Sequence, residues 1–534
     1  MAANVAGGRA WTDRDVGEGS AGASETRTRE RGVRDFPSSS EARVGSTGDI
    51  EGPAEGVSQR WAALALLCVA QFVDVLDVNA VVVALPTIEW DLGFAPQDLQ
   101  WVVTAYVLFF GGFLLLAGRL ADLFGRRRMF VAGLALFTAS SFACGLAGSP
   151  LLLIVFRAAQ GLGAAIVAPA ALATISTTFP EGRERNFAMG VWTAVAAGGG
   201  AAGLVLGGLI TDGLGWEWIF FVNVPVGVAG IALSFALLEA DRGERASSRL
   251  DLTGALTVTG GLVLLVYGLT RAEEAGLGSP ATLGTMALAG SLLAAFLFVE
   301  WSVSDPLVPL RVFRTRDLVG SSLVAFTNTA TTSPVSVLAV LYLQQVLAYS
   351  PTLAGLLGLP CSLSVVVGSI LGSRLTGTLG ARRTMALGLV GISVATLVIV
   401  GISASGGLWY VVANATLSGL ALGCSAVAST TRGTSAVKEE ERGLASGLLN
   451  SSAQVGTALG LAVLFAVAVA RTDAVAVGGE PDDEALVAGY RWAFFVGAAV
   501  AALGVAAALR LVRQETGGKP DGLPTGGSPS KGPP

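Results

Sequence analysis

The stretch Gly118-Arg119-Leu120-Ala121-Asp122-Leu123-Phe124-Gly125-Arg126-Arg127-Arg128 is a charge-dense, glycine-bracketed turn between two long apolar runs. A weaker copy returns at Arg374-Leu375-Thr376-Gly377-Thr378-Leu379-Gly380-Ala381-Arg382-Arg383. Aligning Gly125 with Gly380 gives an offset of 255 residues. A second match pairs Glu184-Arg185-Asn186-Phe187-Ala188-Met189-Gly190 with Glu441-Arg442-Gly443-Leu444-Ala445-Ser446-Gly447, at an offset of 257. Two matches at nearly half the chain length identify a duplication. The copies have the same orientation, so the repeats are parallel.

Composition assigns the class. Mean hydropathy is +0.65. Of the 534 residues, 52% are hydrophobic and 14% charged, whereas soluble domains carry about 25% charged residues. The 71 glycines suit closely packed membrane helices. Cys68, Cys144, Cys361 and Cys424 stand singly in apolar runs, without metal-ligand spacing or an evident disulfide pair. The chain contains no histidine, which excludes histidine-based catalysis, metal binding and proton relay together. No Gly-x-x-x-x-Gly-Lys-Ser/Thr loop is present, so direct ATP drive on this chain is excluded. No cofactor, metal or nucleic-acid partner is expected. Few lysines beside abundant Ala, Gly and Val suggest a GC-rich bacterial source.

Residues 1–58 are rich in Gly, Ser, Arg and acids, and residues 514–534 in Gly and Pro. Both read as disordered tails, and no cleavable signal peptide is expected. Between them recur fourteen apolar runs, near 61–85, 101–118, 129–148, 151–178, 187–210, 218–238, 252–270, 282–300, 318–345, 353–373, 384–403, 408–430, 443–470 and 490–513. A run of about 20 residues crosses about 30 Å of hydrocarbon. The loops after even-numbered runs hold eighteen Arg and Lys, against Arg271, Arg471 and Arg491 in the others. That bias places the even-numbered loops and both termini in the cytoplasm. The expected fold is all-α and polytopic. Two parallel six-helix repeats occupy 59–240 and 303–513, with two extra central helices in 241–302. Parallel repeats with substrate at their interface are a transporter plan.

Polar residues inside such runs carry the functional signal. An aspartate at mid-bilayer costs about 2.5–3.5 kcal/mol, and normally faces the bundle interior on an ion or substrate path. The first run holds Gln71, Asp74, Asp77 and Asn79. Gln71, Asp74 and Asp77 are spaced i, i+3, i+6, which keeps them within about 120° of one helix face. Two carboxylates so close in a low dielectric resist simultaneous ionisation and are expected to titrate as a coupled unit. That suits a proton carrier, and spacing alone leaves open which of the two holds the proton. Arg157, in the fourth run, is the natural partner. At about 1.5 Å per residue, Asp77 lies roughly 12 Å and Arg157 about 9 Å from the outer ends of their runs. An ion pair at that depth either forms and breaks with protonation or stays permanently closed. Gln71, Asn79, Gln160 and Asn328 are expected to line a substrate cavity.

Gly199, Gly203 and Gly207 recur every four residues in the fifth run, and Gly456 and Gly460 lie 257 residues beyond Gly199 and Gly203. Glycine stripes let another backbone approach closely; these are helix-packing glycines, and the usual reading is plain packing, while their presence at equivalent positions in both halves favours a rocking interface. Gly118, Asp122, Gly125, Arg126 and Arg127 form an expected conformational switch. The arginines of the opening stretch are explained by anchoring to anionic headgroups, but Asp122 is not. A carboxylate there can engage a helix N-terminus or an arginine across the halves. The second copy has Gly377 instead, so this latch belongs to the first half.

The chain resembles the major facilitator superfamily over about 60–513, and within it the fourteen-helix drug:proton antiporters. Gly118 to Arg128 fits the family's loop signature after helix 2. Arg157-Ala158-Ala159-Gln160-Gly161-Leu162-Gly163 fits its helix 4 signature, to which the family assigns proton transfer. Leu76-Asp77 with Ala84-Leu85-Pro86, Trp101-Val102-Val103-Thr104-Ala105-Tyr106 and Trp216-Glu217-Trp218-Ile219-Phe220-Phe221-Val222-Asn223-Val224-Pro225 resemble that branch. Leu204 stands where the helix 5 signature has proline, Asn79 where helix 1 has threonine, Val82 where it has asparagine, and Asp74 is an additional acid. The resemblance implies proton-driven efflux of an amphipathic small molecule, an antibiotic or secondary metabolite, through a bacterial plasma membrane by a monomer embedded in lipid. The nearest rival is an uptake symporter or facilitator of the same fold. A membrane-embedded transferase would need a clustered polar interfacial site and a large polar loop, and neither is present.

Overall fold

In hydrocarbon every backbone N–H and C=O must be satisfied within its own segment, so apolar runs of this length fold as helices. The computed structural model describes residues 53–180, 182–240, 251–275, 279–303, 306–308, 310–438, 441–476 and 482–513. Among them are fourteen helices long and apolar enough to cross a membrane. The first half holds α1 (Pro53–Leu92), α2 (Trp101–Phe124), α3 (Arg126–Gly145), α4 (Pro150–Thr178), α5 (Arg183–Leu214) and α6 (Glu217–Leu237). The central pair is α7 (Leu252–Ala275) and α8 (Pro280–Ser302). The second half holds α9 (Arg316–Val346), α10 (Pro351–Leu379), α11 (Ala381–Ile399), α12 (Leu408–Ser435), α13 (Arg442–Val475) and α14 (Asp483–Leu511). The expected tails lie largely outside the described residues, but the first helix begins at Pro53, inside the stretch read as tail.

Local sequence sets the helix ends. Ser149-Pro150, Ser279-Pro280 and Ser350-Pro351 each start a helix, the serine hydroxyl accepting the N–H of Leu152, Thr282 or Leu353 and proline taking the first turn. Gly125 and Gly380, the residues that aligned the two copies, separate α2 from α3 and α10 from α11. Their φ values of +99° and +83° lie where a side chain is strongly disfavoured. Arg126 donates to the Thr177 hydroxyl at 2.8 Å and Arg127 to the Leu238 carbonyl at 3.3 Å. These arginines therefore tie the start of α3 to the arginine-rich ends of α4 and α6, besides any headgroup contact.

The glycine stripes pack helices within each half, in keeping with the plain-packing reading rather than with a rocking interface. Gly199, Gly203 and Gly207 seat α5 on α1, where an added Cβ would meet the Phe72 carbonyl at 2.9 Å, the Leu76 carbonyl at 2.5 Å and Ala80 Cα at 2.5 Å. Gly456 and Gly460 seat α13 on α9 against the carbonyls of Phe326 and Ala330. Contact between the halves uses other residues. Gly208 of α5 faces Pro351 and Thr352 of α10, and Gly355 faces the carbonyl of Leu204. Leu204, the departure from the family pattern, thus stands at the junction.

At the arginine-poor end the halves are tied by side chains. The last turn of α9, Tyr342–Val346, is π-helical. From it Gln344 donates to the Val83 carbonyl and Gln345 to Glu89, both at 2.8 Å. Tyr490 of α14 donates to Gln345 at 2.6 Å. The backbone N–H of Thr352 donates to Asp212 at 2.9 Å.

Gly203→Ala and Gly460→Ala are expected to lower stability by about 1–3 kcal/mol through overpacking. Gly198→Ala is the control, since a Cβ there meets nothing within 4 Å. Thermal unfolding of the purified proteins in detergent measures all three, and equal midpoints for Gly203→Ala and wild type would refute the packing role.

Candidate functional site

Four glycine contacts bring the helices around Arg157 together. Gly161 lets α4 rest on the Tyr106 carbonyl of α2, while Gly163 and Gly133 bring α4 against α3. Gly227 takes the Thr138 side chain and joins α6 to α3. Side chains of α4 and α6 then meet the Asp77 carboxylate of α1, and α2 and α3 hold those side chains in turn.

Asp77 and Arg157 are both fully buried, with Arg157 Nη1 2.5 Å from Asp77 Oδ2. The same nitrogen donates to Gln160 Oε1 at 2.6 Å, and Arg157 Nε donates to the Val102 carbonyl at 2.9 Å. Asp77 Oδ1 accepts from Gln160 Nε2 at 3.0 Å and from Asn223 Nδ2 at 2.7 Å. Gln160 Nε2 also donates to the Ser141 hydroxyl at 2.7 Å. The guanidinium carbon of Arg157 lies 4.4 Å from the centre of the Tyr106 ring, a cation–π contact that strengthens when water is excluded. The Tyr106 hydroxyl donates to Asp74. Tyr106 therefore touches both halves of the acidic pair: Asp74 through its hydroxyl and the partner of Asp77 through its ring.

Two buried atoms here lack a hydrogen-bond partner, Arg157 Nη2 and Asn223 Oδ1. An unsatisfied buried polar atom costs about 1–3 kcal/mol. A small, mostly apolar pocket lies among α1, α3, α4 and α6. Asp74 and Asn223 are its polar wall. Asp74 thus has access that Asp77 lacks.

The depth argument for Asp77 and Arg157 agrees with the geometry, and the other expected residues divide. Gln160 belongs to the ion-pair cluster and is fully buried, so it braces Asp77 rather than lining an open cavity. Asn79 donates to the Val75 carbonyl of its own helix at 2.8 Å and packs beside Gly203; it belongs to the α1–α5 junction. Gln71 is half-buried on the Asp74 side of α1. Asn328 is buried on α9 with its Oδ1 unpartnered, away from the Asp77 cluster. Asp122 is exposed and makes no hydrogen bond or ion pair among the described residues in this conformation. The cross-half contact at that mouth is made by Arg119, which donates to the Pro306 carbonyl. Tyr106, Ser141 and Asn223 were not singled out from sequence. Two of them lie in stretches already quoted as typical of the fourteen-helix branch, which was the available signal.

Comparison with known proteins agrees with this architecture. A family model described as Major Facilitator Superfamily matches residues 67–460 and 318–532. The chain is 40% identical over 420 residues to the puromycin resistance protein pur8 of Streptomyces alboniger, covering 78% of this chain and 83% of that one. It is 39% identical to the cephamycin export protein CmcT of Amycolatopsis lactamdurans, covering 83% and 90% of the two chains. Among solved structures, a bacterial homologue of the human lysosomal transporter Spinster, inward-facing and unoccupied, superposes with a TM-score of 0.59 at 17% identity. The match covers 84% of this chain and 96% of that one, and this likeness concerns the fold.

Arg157→Met strands a buried Asp77 and is expected to destabilise the protein by about 3–5 kcal/mol, whereas Asp77→Asn with Arg157→Met restores most of the loss. Unfolding midpoints of the single and double variants decide. An equal loss in both would mean that charge compensation is not what holds the site.

Proposed function

Because the chain belongs to the major facilitator superfamily, and is accordingly a transporter rather than an enzyme, we propose that it exports an amphipathic small molecule of the antibiotic class in exchange for protons. The setting is a bacterial plasma membrane with both termini cytoplasmic. Puromycin resistance and cephamycin export are named functions of its relatives and support the direction of transport. The buried Asp77–Arg157 pair, with Asp74 one helical turn away on Tyr106, is the observation that carries the proton reading.

The chemistry follows from the contacts. A proton reaching Asp74 through the adjoining cavity weakens the attraction between that carboxylate and Arg157. Transfer onward to Asp77 removes the charge that holds Arg157 Nη1. The guanidinium then turns toward its remaining acceptors, and Nη2 gains the partner it lacks. Five helices share this cluster, so its rearrangement repositions α1 against α4 and biases the bundle toward its other arrangement. Return of the proton to the cytoplasm restores the pair. Each charge that crosses 100 mV contributes about 2.3 kcal/mol to the drive. Asp122 supplies the cytoplasmic latch, engaged in the conformation in which that mouth is closed and free in the one described here.

In everted vesicles of an efflux-deficient bacterium, acidifying the interior is expected to drive accumulation of an antibiotic drawn from a broad panel that includes puromycin. A protonophore should abolish it. Loss of interior substrate under the same gradient would identify an uptake symporter instead. Asp77→Asn is expected to eliminate proton-driven accumulation while leaving substrate binding measurable, and full coupling in that variant would refute the proton role. Asp122→Asn is expected to slow transport at normal membrane insertion; an unchanged rate would reduce the motif to a topology anchor.

A further inference from the structure

The two seams between the halves differ, and α7 accounts for the difference. Along the first seam α2 meets α13. An added Cβ on Gly111 would meet Gln454 Cβ at 2.6 Å, Ser451 donates to the Gly111 carbonyl at 3.0 Å, and Gly447 faces Leu115. Helix α7 covers this seam. Thr259 fills the space above Gly112, and Gln100 at the arginine-poor end of α2 donates to Thr270 at 3.2 Å. At the arginine-rich end Leu116, Ala255, Val308, Val312 and Leu448 form one apolar cluster. Arg119 holds Pro306 there, while Glu300 of α8 accepts the Val308 N–H at 3.0 Å. This seam is closed from one end to the other.

The opposite seam, between α5 and α10, is closed in one half only. Its close contacts join Leu204, Gly208 and Asp212 to Pro351, Thr352, Gly355 and Gly358. The same face of α5 continues toward the arginine-rich end through Ala197, Thr193 and Gly190, at helical spacing from Leu204. The facing edge of α10 continues through Val366, Ser373 and Gly377. Thr193, Gly190, Val366, Ser373 and Gly377 are all exposed, and a Cβ on Gly190 or Gly377 would meet nothing within 4 Å. Between Arg185 and Asp212 on α5, and from Pro351 to Arg374 on α10, neither helix carries a charge.

We propose that the two central helices seal the α2–α13 seam and leave the α5–α10 seam as a single lateral portal. Through it, an amphipathic molecule dissolved in the cytoplasmic leaflet enters the space between the halves. The proposal rests on the export reading for its direction. A molecule with an apolar body concentrates in the leaflet rather than in water, so an uncharged gap between membrane helices admits it without returning that body to solvent. Arg183 and Arg374, exposed at the headgroup end of the gap, suit its polar head. Twofold-related halves without an insert would offer two such gaps; covering one fixes the side from which the molecule arrives.

The test uses the unmodified full chain in phosphatidylethanolamine–phosphatidylglycerol vesicles containing phosphatidylcholine with a diazirine on its acyl chain. After irradiation, peptide mass spectrometry locates the adducts. Leu363, on the outward face of α10, serves as the positive control. Adducts are expected at Ala197, Thr193, Val366 and Ser373, and none at Leu115, Ser451 or Gln454. Labelling of Leu363 without the facing edges of α5 and α10 would overturn the portal, and equal labelling of both seams would overturn its singularity. Gly112→Leu, which wedges α7 off α2, is expected to bring adducts to Ser451 and Gln454. A folded Gly112→Leu protein without them would overturn the sealing role of α7. No transported substrate is needed, so failure here leaves the export reading standing, and failure of vesicle transport leaves the portal intact.

Discussion

A carboxylate and a guanidinium with no exposure to solvent lie 2.5 Å apart within the first six-helix half. Neither charge is tolerable there alone. Removing charges from water is compensated only when the geometry is good and the remaining donors and acceptors are filled. The surrounding helices meet that demand jointly: α2 gives the Val102 carbonyl and the Tyr106 ring, α3 gives Ser141, α4 gives Gln160 and α6 gives Asn223. The requirement of one ion pair therefore fixes the mutual arrangement of five helices. Helix α5 has no part in it and is joined through the glycine contacts with α1.

In the proposed antiport this arrangement links proton chemistry to shape. A surface ion pair could gain or lose a proton with little effect on its neighbours. Here most hydrogen bonds of the cluster join different helices, so in that proposal a change in charge at Asp74 or Asp77 acts on packing. Tyr106 transmits it over one side chain. The second half is tied differently, with Arg432 paired to Asp317 at 2.9 Å near the arginine-rich end. The duplicated scaffold thus carries its buried charge pair in the first half, among the described residues, and its loop carboxylate there too.

The central helices change what the duplication would otherwise imply. Two parallel repeats produce two equivalent seams, α2–α13 and α5–α10, while α1 and α9 meet each other at the arginine-poor end. Helices α7 and α8 break it. They lie beside one seam only, and Glu300 and Arg119 fix the connecting segment at the arginine-rich end. In the proposed portal, an insert of two helices so placed sets the side from which a membrane-dissolved molecule approaches, without touching the ion pair.

The sequence alone determined the features whose causes are local. Helix number follows from apolar length, and the duplication from two matched segments. The turn at Gly125 and its copy at Gly380 follow from a backbone conformation that glycine adopts freely. The approach of Asp77 to Arg157 was legible because helix rise converts position into depth. Tertiary structure decided everything that depends on which helix stands beside which. Periodicity reveals that Gly203 lies on a stripe, but not that its partner is α1 rather than the other half. It marks Asn79 and Gln160 as polar, but not that one caps a junction while the other braces a charge. Tyr106, Ser141 and Asn223 are ordinary residues in apolar helices until packing brings three segments, distant in the chain, around one carboxylate. The opening loop motif divides the same way. Its turn and its arginines were fixed by sequence, whereas the third dimension gave the cross-half contact to Arg119 and left Asp122 without a contact among the described residues, because a contact across halves depends on the conformation those halves adopt.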